Sequence, residues 1–262
     1  MLLHGFTQTG ASWRPLARHL QGRFDLFMPD APGHGRSSGV RANLWQAADL
    51  LAAKLGDREG AAAAGTVARA RPAESAAQAR GAAWAGYSMG GRLALHVALA
   101  HPEVVTRLVL ISTNPGIEGP QARQARQASD EALAARVERE GVGPFLDWWL
   151  SQPLFATLPP TAAGRQERLA NTAEGLAWSL RLAGLGRQEP LQPRLAELGR
   201  RRLPVLLITG ELDTAYCRHA EQMAEAIGPT ARHLVVGSAG HACHLERPDE
   251  VAEALAAFCQ TS

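Results

Sequence analysis

A serine stands between two glycines in the segment Gly86–Gly90, whose sequence is GYSMG. This G-x-S-x-G spacing is typical of a sharp strand-to-helix turn, where the serine adopts a strained backbone and only glycine lets the neighbouring chain pass closely. The flanks favour that turn, because Ala82–Ala85 predicts a short buried strand and residues 92–100 predict a helix that ends before Pro102. Ser88 is therefore the candidate nucleophile or base.

Two further side chains are candidates for activating Ser88. The apolar run Leu203–Thr209 predicts a buried parallel strand, and the carboxylate of Asp213 follows its end. His241 follows a glycine-containing loop after a strand predicted at His233–Val236. A serine hydroxyl reacts well only when an imidazole takes its proton and a carboxylate holds that imidazole in one tautomer. The chain order Ser, Asp, His is the order of the α/β-hydrolase fold.

Each partner of Ser88 has a rival in the sequence. Glu211 could replace Asp213 as the acid, but the G-E-x-D pattern favours Asp213. His244 competes with His241, yet only His241 directly follows the glycine loop, and His244 is expected to begin or cap a helix over Leu245–Phe258.

The beginning of the sequence predicts the other half of such a site. Met1–Gly5 reads as the end of a buried strand that enters a His-Gly loop. In the α/β-hydrolase fold the backbone N–H after this His-Gly and the N–H after the nucleophile form the oxyanion hole, which predicts Phe6 and Met89 here. The hairpin that precedes this strand in that fold is missing from the sequence, so the first strands are expected to be truncated.

The remaining pattern predicts an α/β fold with a mostly parallel sheet flanked by helices. Further strands are predicted at Phe24–Asp30 and Thr106–Ser112 and a helix at Leu44–Leu55, whereas His34 is expected to support a turn. Residues 56–81 are rich in alanine, arginine and glycine and predict a flexible insertion. The predicted organisation is a core over residues 1–119, a helical lid over 120–199 with helices at 122–140, 144–151 and 165–185, and the rest of the core over 200–262.

Arginines near the predicted site indicate the charge of the substrate. Arg92 lies one helical turn beyond Ser88 in a helix expected to be buried, where an unpaired guanidinium costs several kcal/mol. Its partner is therefore either a local carboxylate or a substrate carboxylate held by two hydrogen bonds. With Arg123, Arg126 and Arg168 of the lid, it points to a polyanionic substrate. The lid aromatics Trp148, Trp149, Phe155 and Trp178 are candidates for an apolar wall or for the core of the lid itself.

Composition excludes several other function classes. The 262 residues have a formal net charge of +2, which implies no nucleic-acid or membrane-surface partner. The three cysteines lack the spacing of a metal site and fit a reducing cytoplasm. The abundance of alanine and arginine, with few lysines, suggests a bacterial source. The absence of a metal cluster, a phosphate-binding loop and a dinucleotide fingerprint predicts that neither a metal nor another cofactor is needed. The sequence predicts no oligomeric state.

Several blocks of the chain resemble one group of enzymes, the 2-succinyl-6-hydroxy-2,4-cyclohexadiene-1-carboxylate synthases, which are menaquinone-pathway members of the α/β-hydrolases. The similarity covers nearly the whole chain. The arginine after the Gly86–Gly91 turn and the lid blocks are its specific part. The blocks are 3–10 (LHGFTQTG), 29–35 (PDAPGHG), 86–92 (GYSMGGR), 114–117 (NPGI), 123–130, Trp148 with 152–156 (QPLFA), and 210–213 (GELD).

The resemblance implies a lyase that eliminates pyruvate from 2-succinyl-5-enolpyruvyl-6-hydroxy-3-cyclohexene-1-carboxylate, a small tricarboxylate. It implies that Ser88, activated by His241 and Asp213, acts as the base. It also implies substrate contacts by the residues at five positions; Arg126 is preferred over Arg123 because its spacing to Ser129-Asp130 matches better. The five positions are Tyr87, Arg92, Arg126, Trp148 and Arg168.

Two other interpretations remain. A serine hydrolase of esters or of carbon–carbon bonds would use the same three residues through an acyl-enzyme or through water. A receptor or scaffold with this fold is disfavoured because all three catalytic positions are intact.

Overall fold

The computed structural model describes residues 1–63 and 81–260, and its sheet has five strands in the order β1-β2-β3-β4-β5. All four neighbouring pairs are parallel, so the carboxyl ends of the strands lie at one edge. The strands are β1 (Leu2–Leu3), β2 (Ala82–Tyr87), β3 (Val105–Ile111), β4 (Val205–Gly210) and β5 (Ala231–Val236).

The central strands are apolar because both faces of the sheet are covered. Successive side chains of a strand point to opposite faces. Accordingly, Leu108 and Leu110 of β3 belong to one buried cluster, and Val109 and Ile111 belong to the other. A continuous apolar run is therefore the expected pattern for such a strand, and the strands predicted from these runs are confirmed with shifts of one or two residues at their ends.

Helices cover the two faces in separate groups. Helices α1, α10 and α11 pack over one face, and α2, α3, α8 and α9 pack over the other. These helices are α1 (Arg14–Leu20), α2 (Leu44–Ala63), α3 (Met89–Ala100), α8 (Leu195–Arg200), α9 (Thr214–Ile227), α10 (Cys243–Glu246) and α11 (Pro248–Gln260). None of the helices in the described ranges has the length and apolar character needed to cross a membrane.

Four successive helices lie between β3 and α8. They are α4 (Pro120–Glu140), α5 (Val142–Leu150), α6 (Arg165–Arg168) and α7 (Ala173–Ala183). Three of them, α4, α5 and α7, share a small core of their own. Val137 of α4, Phe145 of α5 and Leu176 of α7 are fully buried against one another in this core. These helices lie in the region predicted as the lid, whose exact boundaries stay a prediction.

The predicted strand Phe24–Asp30 is wrong. This segment is irregular, although the Leu2 N–H donates to the Phe27 carbonyl at 2.8 Å. Regular pairing is limited because β1 has only two residues and Pro29 has no N–H to donate.

Three helix predictions differ from the structure. Helix α2 continues from the predicted end at Leu55 to Ala63, as its alanine-rich sequence favours, while the rest of the predicted insertion, residues 64–80, lies outside the described residues. The predicted helix 165–185 is interrupted, because the extended Thr172 accepts a hydrogen bond from the Gly175 N–H and begins a new helix.

The helix predicted over Leu245–Phe258 begins earlier and is broken. Its first turn is α10, which contains His244, and α11 starts separately at Pro248. Proline cannot continue the hydrogen bonding of a helix and disfavours helical geometry in the residue before it. Arg247 accordingly has φ −136° and ψ 60°.

Candidate active site

Ser88 occupies the turn between β2 and α3 with φ +52°, a strained conformation for a residue with a side chain. The chain passes closely on both sides of it. A Cβ atom on Gly86 would lie 2.1 Å from the Gly90 carbonyl oxygen, and one on Gly90 would lie 2.0 Å from the Leu3 carbonyl oxygen. Only glycine fits at these two positions, so the turn holds Ser88 at the carboxyl edge of the sheet.

Loops at the same edge bring two partners to Ser88. His241 follows β5 and its Nε2 lies 3.2 Å from Ser88 Oγ, while its Nδ1 lies 2.7 Å from Asp213 Oδ2, just after β4. The carboxylate therefore accepts the Nδ1–H and leaves Nε2 to accept the serine proton. This arrangement can generate a nucleophile or a base at Ser88.

The rival residues have other partners. Glu211 Oε2 accepts the Ser238 N–H at 2.8 Å. His244 is buried between the rings of Tyr87 and Trp13, with centroid distances of 4.2 and 4.8 Å, and burial lowers its pKa to about 3. His241 and Asp213, rather than these two residues, are connected to Ser88.

The loop after β1 presents one backbone donor of the predicted oxyanion hole. The Gly5 N–H donates to Gln8 Oε1 at 2.9 Å, and the Thr7 N–H donates to His34 Nε2 at 3.3 Å. Between them, the Phe6 N–H has no backbone or side-chain acceptor within residues 1–63 and 81–260. His34 thus supports the loop of Phe6, and its Nδ1, 3.1 Å from the Pro32 carbonyl oxygen, also supports its own turn, as predicted. The Phe6 N–H remains available as a donor.

The residues on either side of Ser88 form part of its surroundings. Met89 is the first residue of α3, so its N–H has no acceptor within the helix. The buried Tyr87 ring lies 5.3 Å from the His241 ring, and burial raises the pKa of its phenol well above the ordinary value. Oxyanion binding by Met89 and substrate contact by Tyr87 remain predictions.

Arg92 is buried, with 8% of its surface exposed, and its acceptors are neutral. Its Nη1 donates to the Ala183 carbonyl at 2.8 Å and to Gln188 Oε1 at 3.2 Å. No carboxylate of the described ranges forms an ion pair with it, and burial, together with the charge of Arg126, lowers its pKa to about 10. Arg92 still carries its charge at neutral pH, so a binding partner of opposite charge is favoured beside it.

Arg126 lies near this group. Its Nε donates to Asp130 Oδ1 at 2.7 Å within α4, and 38% of its side chain is exposed. It is close enough to Arg92 for its charge to lower the pKa of that residue. Arg123 instead donates to the Ile117 carbonyl at 3.3 Å.

Arg168 connects the region predicted as the lid to the loop after β1. It is buried, donates from Nε to the Ala163 carbonyl at 2.8 Å and from Nη1 to the Thr7 hydroxyl, and burial lowers its pKa to about 10. The neighbouring Asn171 donates to the Thr7 carbonyl at 2.7 Å. A charged side chain thus lies directly behind the loop that carries the Phe6 N–H.

The lid aromatics divide into two groups. Trp149 packs on Phe6 at 5.4 Å and on Phe155 at 5.6 Å, and Phe155 lies 6.4 Å from the His241 ring. Trp148 packs beside Trp149, and the Arg136 guanidinium lies 3.8 Å from the centre of its ring. Trp178 contacts Arg41 instead, at 4.3 Å. Among these four predicted aromatics, Phe155 is the one whose ring lies beside His241, and Trp149 packs against Phe155.

Comparison with known proteins establishes the family of this chain. The sequence matches the alpha/beta hydrolase family over residues 1–254. The 2-succinyl-6-hydroxy-2,4-cyclohexadiene-1-carboxylate synthase of Salmonella paratyphi C (strain RKS4594) is 30% identical over 261 residues, covering 98% of this chain and 91% of that protein. The chain belongs to this synthase family of the α/β-hydrolases. The predicted fold class and family resemblance are confirmed.

Two further comparisons agree. A Bacillus subtilis (strain 168) protein provisionally assigned to the same enzyme is 39% identical over 168 residues, which span 62% of this chain and only 60% of that protein. The structure of MenH from S. aureus superposes with a TM-score of 0.84 at 28% identity, covering 98% of this chain and 91% of that one.

The sequence did not predict one aromatic residue that lies beside His241. The Tyr216 ring lies 4.4 Å from the His241 ring, at the start of α9. Desolvation and the charge of Asp213 raise the pKa of its phenol, while the charges of Arg126 and Arg92 act in the opposite direction. Its position one turn after Asp213 was the available signal, since side chains at that spacing share a helix face.

Proposed function

We propose that this chain eliminates pyruvate from 2-succinyl-5-enolpyruvyl-6-hydroxy-3-cyclohexene-1-carboxylate and produces 2-succinyl-6-hydroxy-2,4-cyclohexadiene-1-carboxylate, a step of menaquinone biosynthesis. Membership of the synthase family supports the reaction. The observation that carries the proposal is the buried Arg92 beside the Ser88–His241–Asp213 hydrogen bonds, because its protein partners are neutral oxygens.

The chemistry of the substrate fits a serine base. Its succinyl ketone makes the hydrogen on ring carbon 2 acidic. When Ser88 Oγ takes this proton and passes its own to His241, the electron pair forms a double bond between carbons 2 and 3. The existing double bond shifts to carbons 4 and 5, and the bond from carbon 5 to the enolpyruvyl oxygen breaks. The leaving group is the enolate of pyruvate, and it becomes pyruvate when its terminal carbon takes one proton, which equals the proton removed from ring carbon 2, so atoms and charges balance.

The charge that develops during proton abstraction lies on the succinyl ketone oxygen. Backbone donors that point at such an oxygen stabilise it without reorganisation, typically by about 3–4 kcal/mol for each donor. We assign this role to the N–H groups of Phe6 and Met89. The loop of Phe6 is held by His34 and Arg168, which favours a fixed donor position.

The substrate carries three carboxylates, and the arginines provide complementary charge. Arg92, Arg126 and Arg168 are assigned to these carboxylates, with Tyr87 and Trp148 as further contacts. Arg92 is the strongest candidate, because burial strengthens its attraction for an anion and neutral acceptors leave its charge uncompensated. The free thiols Cys217, Cys243 and Cys259 agree with a cytoplasmic location, which we propose with this function.

Pyruvate release from the purified chain tests the proposal. A coupled lactate dehydrogenase assay with the enolpyruvyl substrate is expected to show rapid release by the wild type. Ser88→Ala should abolish it, and Arg92→Ala should lose roughly 2–5 kcal/mol of transition-state binding in kcat/KM because one partner of a buried charge pair is removed. Arg123→Ala is the matched control, since Arg123 donates to a backbone carbonyl outside this group.

The same variants distinguish the lyase from a serine hydrolase. If the wild type releases no pyruvate but cleaves p-nitrophenyl esters in a manner that needs Ser88 and tolerates Arg92→Ala, the lyase proposal is refuted and the esterase is favoured. A neutral ester has no carboxylate for Arg92 to bind.

A further inference from the structure

The Arg92 guanidinium is held at one end only. Both hydrogens of Nη1 are used, one by the Ala183 carbonyl and one by Gln188 Oε1. Within the described residues, Nε and Nη2 donate to no protein acceptor. These two nitrogens form the edge of a guanidinium that binds a carboxylate with two parallel hydrogen bonds. The edge suited to a carboxylate is therefore the one that the protein leaves open.

The nearby buried carboxylate of Asp130 already accepts hydrogen bonds from other groups. Asp130 interacts electrostatically with Arg92, but its Oδ1 accepts from Arg126 Nε at 2.7 Å and its Oδ2 accepts from the Gly186 N–H at 3.0 Å. Arg92 is thus surrounded by groups that orient it without neutralising it.

A rigid turn places Gln188 beside Arg92. The turn after α7 packs tightly on α4, since a Cβ atom on Gly186 would lie 2.4 Å from the Gln127 backbone nitrogen. Gln127 Nε2 also donates to the Gly186 carbonyl at 2.8 Å. Gln188 itself is 2% exposed, so its amide cannot move freely and its Oε1 fixes Nη1.

We propose that Gln188 is a positioning residue that holds Arg92 through a neutral oxygen and so reserves the arginine's charge and its Nε–Nη2 edge for a substrate carboxylate. A glutamate at this position has the same size, but its carboxylate would neutralise Arg92 from within the protein. The neutral side-chain amide of Gln188 is therefore required for binding of the substrate carboxylate. This inference rests on the proposed function for the identity of the carboxylate ligand.

Gln188→Glu tests the inference by a change of charge at constant shape. Its KM for the enolpyruvyl substrate is expected to rise by about tenfold or more, with kcat within about threefold of wild type, because a competing internal ion pair weakens ground-state and transition-state binding alike. Its Tm should also rise, since the buried guanidinium gains a charged partner.

Two controls separate charge from packing. Gln188→Leu removes the acceptor without adding charge, so its KM should rise less than that of Gln188→Glu. Gln124→Glu makes the same charge change on the exposed part of α4 and should leave KM and Tm unchanged.

Three results would overturn the inference: a Gln188→Glu KM within about twofold of wild type, an equal rise in Gln188→Leu, or a lower Tm or failure to fold in Gln188→Glu. Absence of pyruvate release by the wild type would instead refute the proposed function. In that case the Tm of Gln188→Glu still reports whether Arg92 lacks a charged partner in the protein.

Discussion

Acidification should destabilise this protein through a pair of buried histidines, His4 and His34, beside the loop after β1. His4 accepts the Ala31 N–H at 2.9 Å and His34 accepts the Thr7 N–H at 3.3 Å, both through Nε2. Each ring therefore needs a neutral form that has its proton on Nδ1. Burial lowers the pKa of His4 to about 4 and that of His34 to about 3.

The stability of the protein depends on pH because the folded and unfolded chains bind the His34 proton at different pH values. Above pH 6.5, the ordinary histidine pKa, both states of the protein are neutral at His34 and its titration contributes nothing. Below it the unfolded chain binds a proton that the folded chain refuses until its own pKa of about 3, so stability falls as pH falls through this window. Between pH 7.5 and pH 5 this linkage removes about 2 kcal/mol for His34 alone, at about 1.4 kcal/mol for each pH unit below 6.5.

His34→Gln isolates this contribution, because a glutamine oxygen can accept the Thr7 N–H but does not titrate. The variant is expected to be less stable than wild type at pH 7.5 by about 1–3 kcal/mol, through an imperfect buried hydrogen bond. This difference in stability should shrink by about 2 kcal/mol at pH 5, because only the wild type loses stability by keeping His34 neutral in the folded state.

Urea unfolding at pH 7.5 and pH 5 measures the difference in the free energy of unfolding between wild type and His34→Gln. The comparison requires that the two proteins have equal m-values. Leu16→Ala is the control, because it destabilises the protein through a buried cavity without removing a titratable group, so its difference from wild type should be the same at both pH values. A gap between wild type and His34→Gln that stays constant or widens on acidification would refute the assignment of a neutral, buried His34.

Three other changes test the site and the turn. Asp213→Asn should lower kcat by about a thousandfold to ten-thousandfold with an unchanged Tm, because His241 loses the carboxylate that holds its tautomer; a loss below tenfold in pyruvate release would contradict this role. Tyr216→Phe keeps the aromatic ring beside His241 but removes the Tyr216 hydroxyl, so KM should rise by about three- to tenfold with little change in kcat. A selective fall in kcat would instead place this hydroxyl at the reacting atoms. Gly90→Ala should cost about 3 kcal/mol or more in urea unfolding, whereas Gly39→Ala, where a Cβ meets no atom within 4 Å, should be nearly neutral; similar losses in both would refute the steric argument.

The sequence was sufficient where a local pattern has one structural solution. Apolar runs such as Leu203–Thr209 predicted buried parallel strands, here observed as Val205–Gly210, because a strand covered on both faces must be apolar throughout. The spacing around Ser88 predicted the turn because only glycine fits beside it. The pattern failed at Phe24–Asp30, since a strand also requires a partner of sufficient length.

Which side chains meet was only partly predictable. The sequence favoured Asp213 over Glu211 by pattern, and the structure connects Asp213 to His241. Tyr216 was missed because a tyrosine at the start of a helix has no distinctive pattern.

The partners of Arg92 could not be predicted from the sequence. Its place one turn after Ser88, in an apolar helix, determined that a positive charge would be buried near the reactive serine. It left open whether a protein carboxylate or a ligand would compensate that charge. Only the tertiary structure shows which protein groups meet Arg92: Ala183 and Gln188 are brought to it from more than ninety positions along the chain, and both present neutral oxygens. Long-range packing, which no local pattern encodes, selects the partners of a buried charge.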